Sequence, residues 1–139
     1  MRILIAEDDL TSRKFMQRFL TRYGECDVAV DGLETIDSFL SALKENKPYD
    51  LVCLDIMMPK LDGLKALRMI RDIEQEKKIA DLERVKVIMT TALNDQKTVL
   101  SAYGSGCEAY AWKPIDVQKF TEVLQSLGLI DDKQEMKKE

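Results

Sequence analysis

Four short, nearly continuous apolar runs constrain the fold of this chain more than any other feature. They occupy residues 3–6, 51–54, 85–89 and 109–112. Runs of this length and uniformity are typical of strands buried on both faces, as in a parallel sheet covered by helices. A fifth run, residues 26–30, contains Asp27 and better suits an edge strand.

Helical patterns separate these runs. Apolar residues recur at spacings of three and four in five segments: 15–23, 33–43, 64–70, 99–103 and 117–127. Acidic or amide residues stand where these helices should begin, and glycines where two should end: Asp31 (with Glu34 three residues later), Asp62, Asn94 or Asp95, and Asp116, then Gly24 and Gly128. The alternation predicts an α/β, doubly wound (βα)5 fold of the flavodoxin-like type, with a five-stranded parallel sheet in the order 2-1-3-4-5.

Length and composition predict one domain and exclude several functions. The 139 residues are 45% apolar and 33% charged, which fits a single globular domain over residues 1–129 followed by a polar tail over 130–139. The net charge of -4 without a basic cluster argues against direct binding of nucleic acid. No apolar run approaches the ~20 residues of a membrane span, and the N-terminus does not resemble a signal peptide. We therefore expect a cytoplasmic protein that does not bind membranes.

Histidine and cysteine usage narrows the chemistry further. The chain has no histidine, which excludes Ser-His-Asp triads, Cys-His dyads and most zinc sites. Cys26, Cys53 and Cys107 form no C-x-x-C motif and are expected to be reduced and mostly buried.

Residues 71–84 hold nine charged side chains and predict an extended, solvated third helix followed by a loop, in preference to a binding site.

Polar residues follow the predicted strands at the point where each one ends. They are Glu7, Asp8 and Asp9 after the first strand, Asp55 after the third, Thr90 and Thr91 after the fourth, and Lys113 with Pro114 after the fifth. The carboxyl ends of parallel strands meet at one edge of the sheet. Singly, the first three acids could be a helix start, Thr91 a strand residue and Lys113 a surface lysine. Asp55 is harder to explain in this way, because it follows a buried strand directly.

Together these groups predict a site for a phosphoryl group. Clustered carboxylates repel one another unless a cation joins them. An all-oxygen ligand set suits Mg2+, with Mn2+ as an alternative. A lysine supplies a compact positive charge for an anion, and a carboxylate can act as a nucleophile.

With these motifs in place, the chain resembles the receiver domain of two-component response regulators, in the chemotaxis-type, stand-alone form. The resemblance covers about residues 2–127. The segments that carry it are residues 3–9 with Arg13, 54–59 with Asp62 and Gly63, 87–92, and 110–114. Each segment is a weak motif alone, but all of them occur in the right order at compatible spacing.

The resemblance implies a role for each site residue. Asp55 matches the phosphoacceptor, which becomes an aspartyl phosphate. Glu7 and Asp8 match the acidic pair that holds Mg2+, with Asp8 the direct ligand and Asp9 outside the pair. Asp55 and the backbone carbonyl of Met57 complete the metal ligands. Thr91 and Lys113 match the hydroxyl and the lysine that contact the phosphoryl group, and Thr91 and Tyr110 match the switch pair.

The implied function is signalling, not turnover of a substrate. A histidine kinase or histidine phosphotransfer protein would supply the phosphoryl group. The surface of helix 4, strand 5 and helix 5 would then regulate an effector protein or pass the group on. Such a protein catalyses only its own phosphorylation and dephosphorylation, and we expect a monomer. Met57 and Leu93, both apolar, match positions that flank the hydrolytic water, which predicts a long-lived phosphoprotein.

Two alternatives use a similar fold. A phosphatase of the haloacid-dehalogenase type also has a strand-end aspartate, but it needs a second aspartate where Met57 stands. A flavodoxin-like FMN-binding protein needs a phosphate loop rich in glycine and hydroxyl groups after the first strand. Glu7, Asp8 and Asp9 occupy that place and would repel a phosphate that lacks a metal.

Overall fold

Five parallel strands form one sheet in the predicted order. The structure is a computed structural model that describes residues 1–92 and 96–131. The strands are β1 (Arg2–Ala6), β2 (Glu25–Ala29), β3 (Leu51–Leu54), β4 (Lys86–Thr91) and β5 (Ala109–Trp112). Their order is β2-β1-β3-β4-β5. This confirms the predicted doubly wound (βα)5 fold and places β2 at one edge.

Within the described residues, five helices cover the two faces of the sheet. They are α1 (Leu10–Leu20), α2 (Gly32–Lys44), α3 (Gly63–Glu76), α4 (Gln96–Gly104) and α5 (Val117–Ser126), with a short 3-10 helix at Asp81–Glu83. Alternate strand residues face opposite sides. Ile3 and Ile5 of β1 pack with α1 and α5, whereas Leu4 and Ala6 pack with α2, α3 and α4. The core therefore has two layers, one on each face.

Carboxylates begin three of the helices where the sequence predicted them. Asp31, Asp62 and Asp116 each accept a hydrogen bond from the backbone N–H three residues later. Glu34 completes a reciprocal contact by accepting from the N–H of Val30 at 3.1 Å. The predicted cap at Asn94 or Asp95 lies outside the described residues, as does Leu93.

The two glycines that were predicted to end helices differ. Gly128 follows the end of α5 with a φ of +76°, and the hydrogen bonds around it form a Schellman motif, with Gly128 N–H to Gln125 and Leu129 N–H to Leu124. Gly24 does not end α1, which already stops at Leu20. A Cβ at Gly24 would lie 2.3 Å from the carbonyl oxygen of Met1, so Gly24 allows a close backbone approach instead.

One prediction about burial was wrong, and a second holds with exceptions. Residues 109–112 were predicted to be buried on both faces, but β5 pairs only with β4, and as an edge strand it leaves Trp112 47% exposed. The charged segment 71–84 was predicted to be an extended, solvated helix and loop, and α3 does extend to Glu76 with most of the charged side chains exposed. Among the exceptions, Glu74 is buried and the side chain of Arg71 is 15% exposed, and the two form an ion pair.

The remaining expectations concern the cysteines and the C-terminus. Cys53 and Cys107 are buried and Cys26 is partly buried, and all three are free thiols. Ile130, the first residue of the predicted tail, packs into the core against the α1 and α5 face, and residues 132–139 lie outside the described chain. None of the described helices is both long and apolar enough to span a membrane.

Candidate functional site

Three carboxylates meet at the carboxyl edge of the sheet. Ala6 and Leu54 lie opposite each other on β1 and β3, so Glu7 and Asp55, the next residues, emerge side by side. The carboxylate oxygens that Glu7, Asp8 and Asp55 can offer lie within 4.8 Å of one another. Glu7 and Asp55 are only 2% and 4% exposed, whereas Asp8 faces solvent.

Lys113 provides the positive charge of this cluster. Its Nζ donates to Asp55 Oδ2 at 2.9 Å and also pairs with Glu7 Oε1. The loop that carries Lys113 is held close to β4, because the Lys113 N–H donates to the Thr91 carbonyl at 2.9 Å. The Lys113–Pro114 peptide is cis. Burial alone would lower the pKa of Lys113, but its hydrogen bonds to Glu7 and Asp55 outweigh this and raise it. Lys113 therefore stays protonated and cationic.

Glu7 responds to the same surroundings in the opposite way. Its burial beside Asp55 raises its pKa to about 7, even though Lys113 and the N–H of Asp9 both bond the carboxylate and lower it. One lysine does not balance two buried carboxylates. The cluster thus favours a second cation, or a proton on Glu7, over two fully charged acids.

The loop after β3 is shaped around Asp55. The N–H of Met57 donates to Asp55 Oδ1 at 3.3 Å, and the N–H of Gly63 returns to the Ile56 carbonyl at 2.8 Å. A Cβ at Gly63 would lie 2.1 Å from the Asp55 carbonyl oxygen, so this close return requires glycine. The Met57 side chain is 62% exposed.

The two predicted switch residues lie on neighbouring strands. Thr91 is buried at the carboxyl end of β4, and Tyr110 of β5 lies opposite Met89, two residues before it. Tyr110 is 7% exposed and packs in the layer that contains α4. Its ring centroid lies 5.1 Å from that of Trp112, as expected for two residues on the same side of a strand.

Two contacts around the acidic pair are structural. Asp9 begins α1, where its side chain accepts from the N–H of Ser12 at 2.9 Å, a bond that lowers its pKa. Arg13 donates to the Glu7 carbonyl at 3.0 Å, which holds the turn after β1. The sequence contained the signal for Asp9, since a carboxylate just before a helical pattern is a common N-cap. The sequence contained no local signal for the hydrogen bond from Arg13 to the Glu7 carbonyl.

The donor set fits a hard divalent cation. Glu7, Asp8 and Asp55 offer only oxygen, within reach of a single ion, and Mg2+ is usually bound through one or two carboxylates with water in its remaining positions. The exposed Asp8 leaves an open side for such water and for an anion. The arrangement can therefore hold a metal and a phosphoryl group against Asp55.

Comparison with known proteins gives a consistent picture. Residues 3–125 match the family described as the response regulator receiver domain. The chain is 32% identical over 129 residues to the chemotaxis protein CheY of Treponema pallidum, covering 91% of this chain and 81% of that protein. It is also 32% identical over 128 residues to the peroxide stress-activated histidine kinase mak1 of Schizosaccharomyces pombe, covering 90% of this chain but only 7% of the kinase.

A solved structure shares both fold and sequence. A chain of the crystal structure of the CheX–CheY–BeF3–Mg2+ complex from Borrelia burgdorferi superimposes with a TM-score of 0.74 at 27% identity, covering 92% of this chain and 89% of that one.

Proposed function

This chain belongs to the family of response regulator receiver domains, and on that premise we propose that Asp55 accepts a phosphoryl group. The observation that carries the proposal is the pairing of a buried Asp55 carboxylate with Lys113 beside two further acids. A buried carboxylate in such a cluster is unfavourable for stability alone. It is well suited to a nucleophile whose product, a phosphoryl group, needs a lysine and a metal.

The reaction is an in-line transfer. An oxygen of the Asp55 carboxylate forms a bond to phosphorus while the bond from phosphorus to a donor histidine nitrogen breaks and its electron pair returns to the imidazole. Lys113 already contacts Asp55, and its ammonium would pair with the negatively charged phosphoryl oxygens after the transfer. The hydroxyl of Thr91, at the same edge of the sheet, would donate to one of them. Mg2+, held by Glu7, Asp8, Asp55 and the Met57 carbonyl, would supply charge neutralisation.

A change in β4 and β5 would follow. The phosphoryl group adds charge and strong acceptor oxygens beside Thr91. Movement of Thr91 toward it would alter the space available to Tyr110 on the neighbouring strand. Trp112 touches Tyr110, so we expect its emission to change when beryllofluoride and Mg2+ bind. An unchanged spectrum at saturating ligand would count against this rearrangement.

The donor protein would approach over α1. A cavity of about 240 Å³ connects Glu7 and Lys113 to Phe15 and Met16 of this helix. Lys14 and Arg18 of α1 and Arg22 in the turn after it follow one another at intervals of four and are all exposed, and residues 10–24 contain no acid. This supports a histidine kinase or phosphotransfer partner whose surface is acidic around an apolar centre.

Phosphorylation assays with two aspartate variants test the proposal. Acetyl phosphate with Mg2+ should label the wild-type protein, and Asp55→Asn should abolish the label. Asp62→Asn is the matched control, because asparagine also caps a helix well and Asp62 starts α3 in the same loop. Full labelling of Asp55→Asn, or loss of label in both variants, would contradict the assignment.

A further inference from the structure

The guanidinium of Arg71 joins three elements at the amino edge of the sheet, opposite the site of Asp55. It donates from Nε at 3.0 Å and from Nη2 at 2.8 Å to the carbonyl of Gly106, and from Nη1 at 2.9 Å to the carbonyl of Val85. Its Nη1 also pairs with Glu74 at 2.7 Å, and its Nη2 with Glu108 at 2.9 Å. We call these three side chains the Arg71 cluster.

Both carboxylates of the Arg71 cluster also hold the start of β4. Glu74 accepts from the N–H of Val85 at 2.8 Å, and Glu108 accepts from the N–H of Val87 at 2.7 Å. The side chains of Arg71 and Glu74 are only 15% and 2% exposed. Charges buried this deeply are strongly unfavourable unless they are paired. The cluster therefore fixes α3, the start of β4 and the segment between α4 and β5 relative to one another.

Gly106 makes this contact important for α4. It follows the end of α4 with a φ of +103°. The N–H of Gly106 bonds to Tyr103 at 3.0 Å and the N–H of Cys107 to Ala102 at 3.3 Å, which is the Schellman pattern. The carbonyl that Arg71 holds with two N–H groups is thus that of the glycine that terminates α4. Arg71 fastens the C-terminal end of this helix.

The rest of α4 is held weakly. Ala102 is its one fully buried residue, and Leu100 and Tyr103 are largely exposed. By contrast, α2 and α3 each bury five residues. Helices with few buried apolar contacts open at low free energy. The attachment of α4 to the domain therefore depends heavily on the Arg71 cluster.

We propose that Arg71 is a positioning residue for the signalling response, because it fixes the C-terminal end of α4 while the rest of α4 and β5 rearranges. The proposal rests on the proposed phosphorylation of Asp55. With this end fixed, a change that begins at Thr91 is directed into the exposed surface of α4 and β5. With this end released, α4 detaches locally, and the phosphorylated and unphosphorylated forms of the surface differ less.

Arg71→Lys is the informative variant. It keeps the positive charge between Glu74 and Glu108, but an ammonium cannot reproduce the planar fork that holds the Gly106 carbonyl twice. Arg68→Lys is the matched control, because it makes the same change on the same helix at an exposed position. Arg71→Met combined with Glu74→Gln and Glu108→Gln provides a second variant, which removes the fork without leaving an unpaired buried charge.

Hydrogen exchange and Trp112 emission are then measured on each protein, with and without beryllofluoride and Mg2+. In Arg71→Lys we expect amides of residues 96–107 to exchange at least about tenfold faster in both states, with β1 and β3 unchanged, as for a local opening. The emission change of Trp112 should fall to less than about half of that of the wild type at saturating ligand, while labelling of Asp55 stays within about twofold. Arg68→Lys should match the wild type.

Three results would overturn the proposal. One is wild-type exchange of residues 96–107 in Arg71→Lys and in the triple variant. Another is an equal increase in β1 and β3, which would mean a general loss of stability. The third is an undiminished Trp112 response. Failure of the proposed function would be recognised separately, because the wild-type protein would then not be labelled at Asp55. Hydrogen exchange of α4 in the ligand-free protein tests whether Arg71 holds this helix, and it does not depend on phosphorylation.

Discussion

At the scale of single residues, the site is defined by an imbalance of charge. Lys113 contacts both Glu7 and Asp55, but one ammonium does not compensate two buried carboxylates. Burial of Glu7, with Asp55 beside it, raises the pKa of Glu7 to about 7 despite the contact with Lys113. Asp8 adds a third carboxylate on the solvent side. The excess negative charge is the reason to expect a divalent cation at this position.

Asp8→Ala should weaken the binding of Mg2+ more than any other change among the first three acids. We expect a loss of at least about tenfold in affinity, since even residues that only support a metal ligand cost about 10- to 100-fold when they are removed. Calorimetric titration with Mg2+ measures this. Asp9→Asn is the control, because it keeps the cap of α1 and should change the affinity less than about twofold. An equal loss of Mg2+ affinity in both variants would show that Asp8 and Asp9 affect the metal only through their negative charge and that Asp8 is not a direct ligand.

Met57 should control the lifetime of the phosphoprotein. Its N–H donates to Asp55, and its exposed apolar side chain can exclude water from that neighbourhood but cannot orient it. Met57→Asn should shorten the half-life of the labelled protein in Mg2+ by about tenfold, within the range of a single positioned group, and adding Leu93→Glu should shorten it further. Met57→Leu is the control and should leave the half-life unchanged. Decay of the wild type within seconds would refute this explanation.

At the scale of elements, the sequence predicted most of the frame and missed contacts that depend on tertiary structure. Apolar runs and acidic helix starts were sufficient for the sheet and for three helix caps, because strand burial and capping are local signals. The exposure of Trp112 was missed, since a short apolar run does not reveal that its strand has only one neighbour. The burial of Arg71 and Glu74 was missed because their partners, Val85 and Glu108, lie 11 to 37 residues away.

Gly63 is an element-level requirement that a substitution can test. A Cβ there would meet the Asp55 carbonyl oxygen at 2.1 Å, whereas one at Gly104, at the end of α4, would meet nothing within 4 Å. Gly63→Ala should lower the free energy of unfolding by about 2–3 kcal/mol, as for other overpacked positions. Gly104→Ala should leave it unchanged or raise it by up to about 1 kcal/mol. Urea denaturation of the two variants measures both, and equal effects would contradict the close approach in the loop after β3.

At the scale of the whole molecule, the carboxyl edge and the amino edge of the sheet carry different groups of polar side chains. The carboxyl edge gathers Glu7, Asp55, Thr91 and Lys113 from four loops and strand ends. The amino edge carries the Arg71 cluster, and β4 runs between the two edges. Under the proposed mechanism, a phosphoryl group on Asp55 would change the surface of α4 and β5 because the Arg71 cluster holds the amino edge. This arrangement suits a protein that changes a surface on phosphorylation.

The position of the acyl phosphate tests the central claim most directly. The wild-type protein is labelled with acetyl phosphate and Mg2+, reduced with borohydride, which converts an aspartyl phosphate to homoserine, and digested for mass spectrometry. We predict homoserine at position 55 in the labelled sample and at no position in an unlabelled sample treated in the same way. Homoserine at position 8, 9 or 62 with an unmodified Asp55, or a label that survives on another type of side chain, would contradict the account.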